Sequence, residues 1–312
     1  MGFNFPTLHL DAGESAFLSR SLEQMRAGSY DIEFPELKGK KLVPVDNSVD
    51  PGAELIRYAQ YESTGIAEMG KDYGEDAPSA DVKAGEFTHG IFGMKIKYGF
   101  SLQELRNARM SGNPLDARKA QAARQAIEQK IDSIIFSGET STGLLGLANQ
   151  PNVVTYTVPA DGTGSSKLWS TKTAALVMRD LFGAEASIRS ATNDVESPDT
   201  LILPTSAHSF LATTPASATL ASEKTIMGYA MANFLTIKNV EFSSKLETAG
   251  ASGTRRAIMY RKDPRKLQAI IPQEFSQLPP QAKGYQIVTF CEARSGGVEV
   301  YYPKSMAYFD GF

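Results

Sequence analysis

Between Gly93 and Asn149 the order of apolar and polar positions changes period, and each change marks an element. Met94, Ile96 and Tyr98 alternate with Lys95 and Lys97, the period-2 pattern of a strand with one covered and one wet face. Ser101-Leu102-Gln103-Glu104 follows as a capping box, in which the serine hydroxyl accepts from an orphan helix N–H and the glutamate reaches back. A short helix is expected from there. Gly112 supplies a left-handed stop, and Asn113-Pro114 restarts the chain with an N-cap and a proline at the first helical position, where a missing N–H costs nothing. From Pro114 to Phe136 no further glycine or proline interrupts, and Ala120, Ala123, Ile127, Ile131 and Ile134 recur at three- and four-residue steps. That stripe predicts one helix about 35 Å long at ~1.5 Å per residue. With alanines in the stripe, it is expected to lie close against a sheet as a spine. Its exit, GETSTGLLGLAN, is glycine-rich.

Elsewhere the pattern is more broken. Residues 1–50 carry three prolines and one plausible helix, Ala16 to Met25, and read as an extended arm. Two strand-like runs, Leu55 to Tyr61 and Glu86 to Tyr98, flank an acidic, glycine-rich interval too long for a compact hairpin loop. They predict a long two-stranded excursion, which is not stable by itself and needs a surface to lie on. After Asn149 the pattern predicts a strand and polar turn, then a helix from Thr171 to Ser190 with Val177, Leu181, Ala184 and Ile188 inward. Thr200 to Leu203 reads as a buried strand stopped by Pro204, and Thr205 to Leu211 as one or two helical turns. Ser222 is the expected cap of a helix running to Phe234. Strands are expected at Thr236 to Phe242, Ala257 to Tyr260, Tyr285 to Glu292 and Val298 to Tyr302. The last two flank Ser295-Gly296-Gly297 as a hairpin. Helices and strands intersperse without a regular βαβ rhythm, so the fold class is α+β.

Composition narrows the function more than the fold. The chain has 312 residues, 42% of them hydrophobic, enough for a sizeable core. A net charge of -3 does not suit a dedicated nucleic-acid binder. Locally the charge is uneven. Residues 61–90 hold seven acids, Glu62, Glu68, Asp72, Glu75, Asp76, Asp81 and Glu86, against two lysines. Residues 255–266 reverse the sign, with Arg255, Arg256, Arg261, Lys262, Arg265 and Lys266 against Asp263. Cys291 is the only cysteine, which excludes an intrachain disulfide and a cysteine zinc cluster and suits a reducing compartment. Neither a signal peptide, a myristoylation signal nor a membrane span is expected.

The patterns that carry catalysis are missing. His9, His89 and His208 lie far apart with no metal-ligand spacing. Gly138 to Gly143 has the glycine spacing of a phosphate loop, but Leu144-Leu145 stand where lysine and a hydroxyl are required. Gly162-Thr163-Gly164 lacks the third glycine of a dinucleotide fingerprint, and Gly13 to Phe17 lacks the last glycine of a nucleophile elbow. Cys291 in TFCEA reads as an inert core thiol, and Trp169 as a packing anchor. No catalytic, cofactor-binding or metal-ligating residue is expected. The basic run near Arg255 reads as a solvated strand edge, a phosphate contact or a partner for acidic residues.

An extended arm, an acidic hairpin, the line FSLQELRNARMSGNPLDARKAQAARQAIEQKIDSIIFSG and the ending RSGGVEVYYPKSMAYFDGF together resemble the major capsid proteins of tailed bacteriophages with the HK97-type fold. Encapsulin shell proteins share that fold. The resemblance implies an N-terminal arm over 1–50, an extended E-loop over 51–98 and a peripheral domain over 99–164 with its spine helix at 114–136. An axial domain would span 165–255, and the strands of 256–312 would be shared between the two. It implies a non-enzymatic protein that assembles as hexamers and pentamers into an icosahedral shell around double-stranded DNA, made in the host cytoplasm and resident in the virion. Portal, scaffolding and decoration proteins would be its partners, and contact with the packaged DNA would be weak and non-specific. An encapsulin-like compartment is the alternative within the fold, and a soluble hydrolase the alternative outside it. From the charge map, Glu68, Asp72, Glu75 and Asp76 of one subunit are expected to meet Arg255, Arg256, Arg261, Lys262, Arg265 and Lys266 of the next.

Overall fold

The computed structural model describes residues 35–65, 67, 79–111, 115–217 and 224–312, and residues 37–312 form one compact unit. The expected helix at 16–25, the Gly112 to Pro114 punctuation, Ser222, and the acids Glu68, Asp72, Glu75 and Asp76 lie outside the described residues.

A short helix α1 (Gly39–Leu42) and strand β1 (Val45–Asp46) come first, and Leu42 and Val43 are buried. Strands β2 (Leu55–Thr64) and β3 (Asp81–Gly90) then pair antiparallel over their full length, from Leu55 opposite Gly90 to Thr64 opposite Asp81, as a separate two-stranded sheet. The run expected as one strand from Glu86 to Tyr98 is two. Buried Ile91 donates its N–H to the Glu54 carbonyl at 2.8 Å, and beyond it β4 (Phe92–Ser101) leaves β2 for a different sheet. The expected alternation holds within β4: Met94, Ile96 and Tyr98 are half-buried and Lys95 and Lys97 exposed.

The capping box forms as read. The Glu104 N–H donates to the Ser101 hydroxyl at 3.1 Å and the Ser101 N–H to the Glu104 carboxylate at 2.8 Å, opening α2 (Leu102–Ser111). The spine helix is α3 (Leu115–Ser137), with Ala123, Ile127, Ile131, Ile134, Ile135 and Phe136 buried. It lies on a sheet in which β12 (Gln286–Ser295) pairs with β4 over ten residues and, on its other side, with β10 (Gln273–Gln277) and β11 (Gln281–Lys283). A smaller sheet joins β1, β9 (Leu267–Ile270) and β13 (Gly297–Val300).

β12 and β13 do not pair with each other, so the hairpin expected at Ser295-Gly296-Gly297 is corrected: the chain changes sheets there. Gly297 has φ +78°, and a Cβ on it would come 2.6 Å from the Leu145 carbonyl oxygen. These glycines serve a close backbone approach.

The remaining elements are β5 (Val154–Tyr156), α4 (Ala174–Ala191), β6 (Thr200–Pro204), α5 (Thr205–Thr213), α6 (Ile226–Asn233), β7 (Asn239–Ser243), β8 (Arg256–Tyr260) and β14 (Met306–Asp310). The α6 helix is capped by Thr225, whose hydroxyl accepts from the Gly228 N–H at 3.2 Å, in place of the expected Ser222. The five strands form one sheet in the order β5-β14-β8-β6-β7. Its side chains alternate between two cores. Ile202, Ile258, Tyr260, Met306 and Tyr308 join the core beneath α3, while Leu201, Leu203, Ala257, Met259, Ala307 and Phe309 join the core beneath α4, α5 and α6. The sheet is thus a shared wall, covered on both faces, which is why β14 shows no polar alternation in sequence.

Candidate assembly surfaces

The exit of the spine helix is built by backbone. The N–H groups of Leu147 and Ala148 donate to the carbonyls of Ile135 and Phe136 at 2.7 and 2.9 Å, satisfying acceptors that the helix end leaves open. Gly138, at φ +71°, has no room for a Cβ, which would stand 2.2 Å from the Leu144 carbonyl oxygen. Asn149 ties the turn by accepting from the Gly146 N–H at 2.6 Å and donating to the Ser137 carbonyl at 3.0 Å. All of this is turn and helix-end geometry.

Chemistry-bearing residues elsewhere are likewise occupied in packing. Among the described residues, no three or more of His, Cys, Asp and Glu are grouped to hold a metal ion, and no helix is long and apolar enough to cross a membrane. Cys291 is buried, and burial pushes its thiol pKa up, away from the reactive thiolate. Trp169 is buried and stacks on Phe312 at 4.1 Å. His208 lies 4.8 Å from the Phe242 ring, and the His89 ring Nε2 bonds the Gly296 carbonyl.

The ribbon β2–β3 differs from the rest of the chain. Leu55, Tyr61 and Val82 are 65%, 70% and 58% exposed, and Phe87 and Phe92 add further uncovered apolar area near its base. Ribbon length comes from ten matched pairs, which at about 3.4 Å per residue reach roughly 34 Å. Among the described residues the ribbon's two strands pair only with each other.

The basic run proves to be mixed. Arg256 is mostly covered: its Nε and Nη2 donate to the Asp310 carboxylate at 2.8 and 2.6 Å, Nη1 donates to the Ala148 carbonyl, and its guanidinium carbon sits 4.4 Å from the Tyr308 ring centre. Arg261 lies 3.9 Å from Glu196, which Lys266 also binds, and Arg255 lies 3.5 Å from Glu247. The Lys262 ammonium donates to the Lys41 carbonyl. Among the described residues Arg265 pairs with the nearby Asp263, at 3.4 Å, and its side chain is 87% exposed. Glu68, Asp72, Glu75 and Asp76, the acids expected opposite these residues, are outside the described residues, while the other acids of that segment, Glu62, Asp81 and Glu86, lie in the ribbon strands.

The residues that sequence reading missed are buried charges. Lys172 and Asp180 have fully buried side chains 2.7 Å apart, and Lys172 also reaches Asp161 at 3.0 Å and the Pro159 carbonyl at 2.7 Å. The signal was present, because Asp180 stands three residues after Val177 on the inward stripe of α4. Asp132 on the spine accepts from the Gly39 N–H at 2.6 Å and pairs with Lys245.

A subunit with a two-cored body and a ribbon that, among the described residues, pairs only with itself and leaves apolar side chains uncovered is of the class that builds shells. The chain matches the major capsid protein family over residues 65–312 and belongs to it. In fold it is similar to the capsid of the Myoviridae phage XM1, at 18% identity and a TM-score of 0.82, covering 96% of this chain and 99% of that one. It is similar also to the capsid of an empty GTA particle, at 8% identity and a TM-score of 0.64 over 96% and 99% of the two chains. A virus-like particle from Pyrococcus furiosus matches at 14% identity and a TM-score of 0.52 over 86% and 90%. No curated protein matches the chain in sequence. The fold is of the HK97 type, and the chain is a shell-forming capsid protein of the virion.

Proposed function

We propose that the β2–β3 ribbon is the element through which one subunit holds the next, and that the assembled shell encloses a double-stranded DNA genome. The exposure of Tyr61 and Val82 on a ribbon that, among the described residues, pairs only with itself carries this reading, since such a ribbon is stable only when it lies on something. Contacts between unlike patches close into rings, so repeated copies form hexamers and pentamers and then a shell. In this reading residues 51–98 are the E-loop, 99–164 the peripheral domain and 165–255 the axial domain. The spine residues in one core and those of α4, α5 and α6 in the other support separating a peripheral from an axial domain, and the alternation along β8 and β14 supports sharing 256–312 between them.

The chain has no catalytic activity of its own, is made in the host cytoplasm, and meets portal, scaffolding and decoration proteins during assembly. A net charge of -3 suits a wall that touches packaged DNA only weakly, the phosphates being neutralised by small cations. Imaging of the purified full-length protein should show closed shells, and Tyr61→Ser with Val82→Ser should abolish them while thermal unfolding is unchanged. Shells that persist in the double variant would remove the ribbon from this role. Nuclease-resistant DNA in native particles supports genome enclosure, and a protein cargo without DNA would favour an encapsulin-like compartment instead.

A further inference from the structure

The base of the ribbon sits over a buried carboxyl group. Val298 and Val300 of β13 face the core beneath α3, so the intervening Glu299 faces the other way, into a recess of about 310 Å³ lined by Tyr58, Phe87, His89, Gln150 and Tyr301. Glu299 is only 4% exposed, and its Oε1 has no hydrogen-bond partner among the described residues. Tyr58 stacks on Phe87 at 5.3 Å and meets the Tyr301 ring edge-on at 4.9 Å, closing the recess from the ribbon side.

The surroundings of this carboxyl favour its neutral form. The Tyr301 hydroxyl lies 3.2 Å from Glu299 Oε2 and 3.1 Å from the Gln268 side-chain amide. An ionised Glu299 would hold Oε1 buried with no donor facing it among the described residues, a cost that protonation removes. Protonated, Glu299 donates to the Tyr301 oxygen. The surrounding groups agree. Burial, foremost, and then Asp46 of β1 push the Glu299 carboxyl above its ordinary range, while His89 of β3 and Tyr301 pull the other way. Tyr58 of β2 and Tyr301 are themselves pushed up, first by burial and then by Glu299, and remain neutral phenols.

We propose that Glu299 is a protonation-controlled seat for the base of the β2–β3 ribbon. Neutral, it lets Tyr58 and Phe87 close over it; ionised, it draws water into the recess and loosens the ribbon from the body. Because the seated carboxyl binds its proton more tightly than a solvated one, seating weakens as pH rises from the ordinary glutamate value of 4.5 to the raised one, and stays weak above it. This does not depend on where the ribbon lies in a shell.

Hydrogen–deuterium exchange of the ribbon strands 55–64 and 81–90 in the full-length protein, corrected for intrinsic exchange between pH 4 and pH 9, tests it. Protection should fall with rising pH, by about tenfold for each unit by which the carboxyl is raised. Glu299→Gln should hold the protected level throughout. The same pH dependence in that variant would overturn the proposal. Tyr301→Phe provides a second readout: its midpoint should move down, as the neutral acid loses its acceptor. An upward movement would show that Tyr301 donates to a carboxylate, against the protonated assignment.

Discussion

Arg256 and Asp310 stand opposite each other in register on β8 and β14 and close a two-pronged ion pair at 2.8 and 2.6 Å. Asp310 pushes the guanidinium pKa further up, so Arg256 keeps its charge. The pair joins the shared sheet to the spine exit through the Ala148 carbonyl. Arg256→Met should therefore cost about 2–4 kcal/mol, since it strands a mostly covered carboxylate. Arg256→Lys should recover little of the loss, because an ammonium cannot match the fork. Denaturant midpoints of the three proteins check this, and full recovery by lysine would contradict it.

Asp180→Asn leaves the Lys172 ammonium, whose side chain is fully buried, with the Pro159 carbonyl and with Asp161, a carboxylate that Arg179 also binds. A loss of about 3–5 kcal/mol is expected. Removing both charges as Lys172→Met with Asp180→Leu should be milder than the single change, because no uncompensated charge remains. A double variant less stable than Asp180→Asn would show that the pair holds the α4 core by attraction.

The capping box makes a prediction in two variables. Ser101→Ala should cost about 1 kcal/mol. Glu104 is held below its ordinary range, first by the Ser101 N–H and then by Lys119. A carboxyl depressed in the folded state contributes stability that is complete above the unfolded value of 4.5 and lost as pH falls through the lower folded one. Glu104→Gln should thus flatten the acid limb of the stability–pH curve, and an unchanged limb would assign it to other carboxylates.

For the expected charge contact between subunits, Arg265 is the cleaner probe, because Arg261 also serves the buried Glu196. Arg265→Glu, alone and with Arg261→Glu, should weaken assembly at low salt, measured by light scattering. The gap from the parent should close toward 1 M salt, where screening acts within about 3 Å. Assembly equal to the parent at low salt would remove the basic run from the interface.

Elements governed by neighbours in sequence were legible in advance. The β4 alternation, the Ser101–Glu104 box, the spine stripe and the inward face of α4 all appear as read, because a cap or a period is set within a few residues. Missed elements depend on distant partners. β9, β10, β11 and β14 carry little local signal, and β14 is covered on both faces, which erases alternation. Ser295 to Gly297 looks like a hairpin turn, yet which strand β13 joins is decided by β9.

By itself the sequence determined the spine, the ribbon and the absence of recognisable catalytic spacing, since these follow from periodicity, capping and residue type. The tertiary structure alone decided that one sheet divides two cores, that Arg256 is committed to Asp310 within its own chain, and that Glu299 is closed off beneath the ribbon. Burial and ion pairing depend on what packs against a side chain, and that is brought there by residues tens to hundreds of positions away.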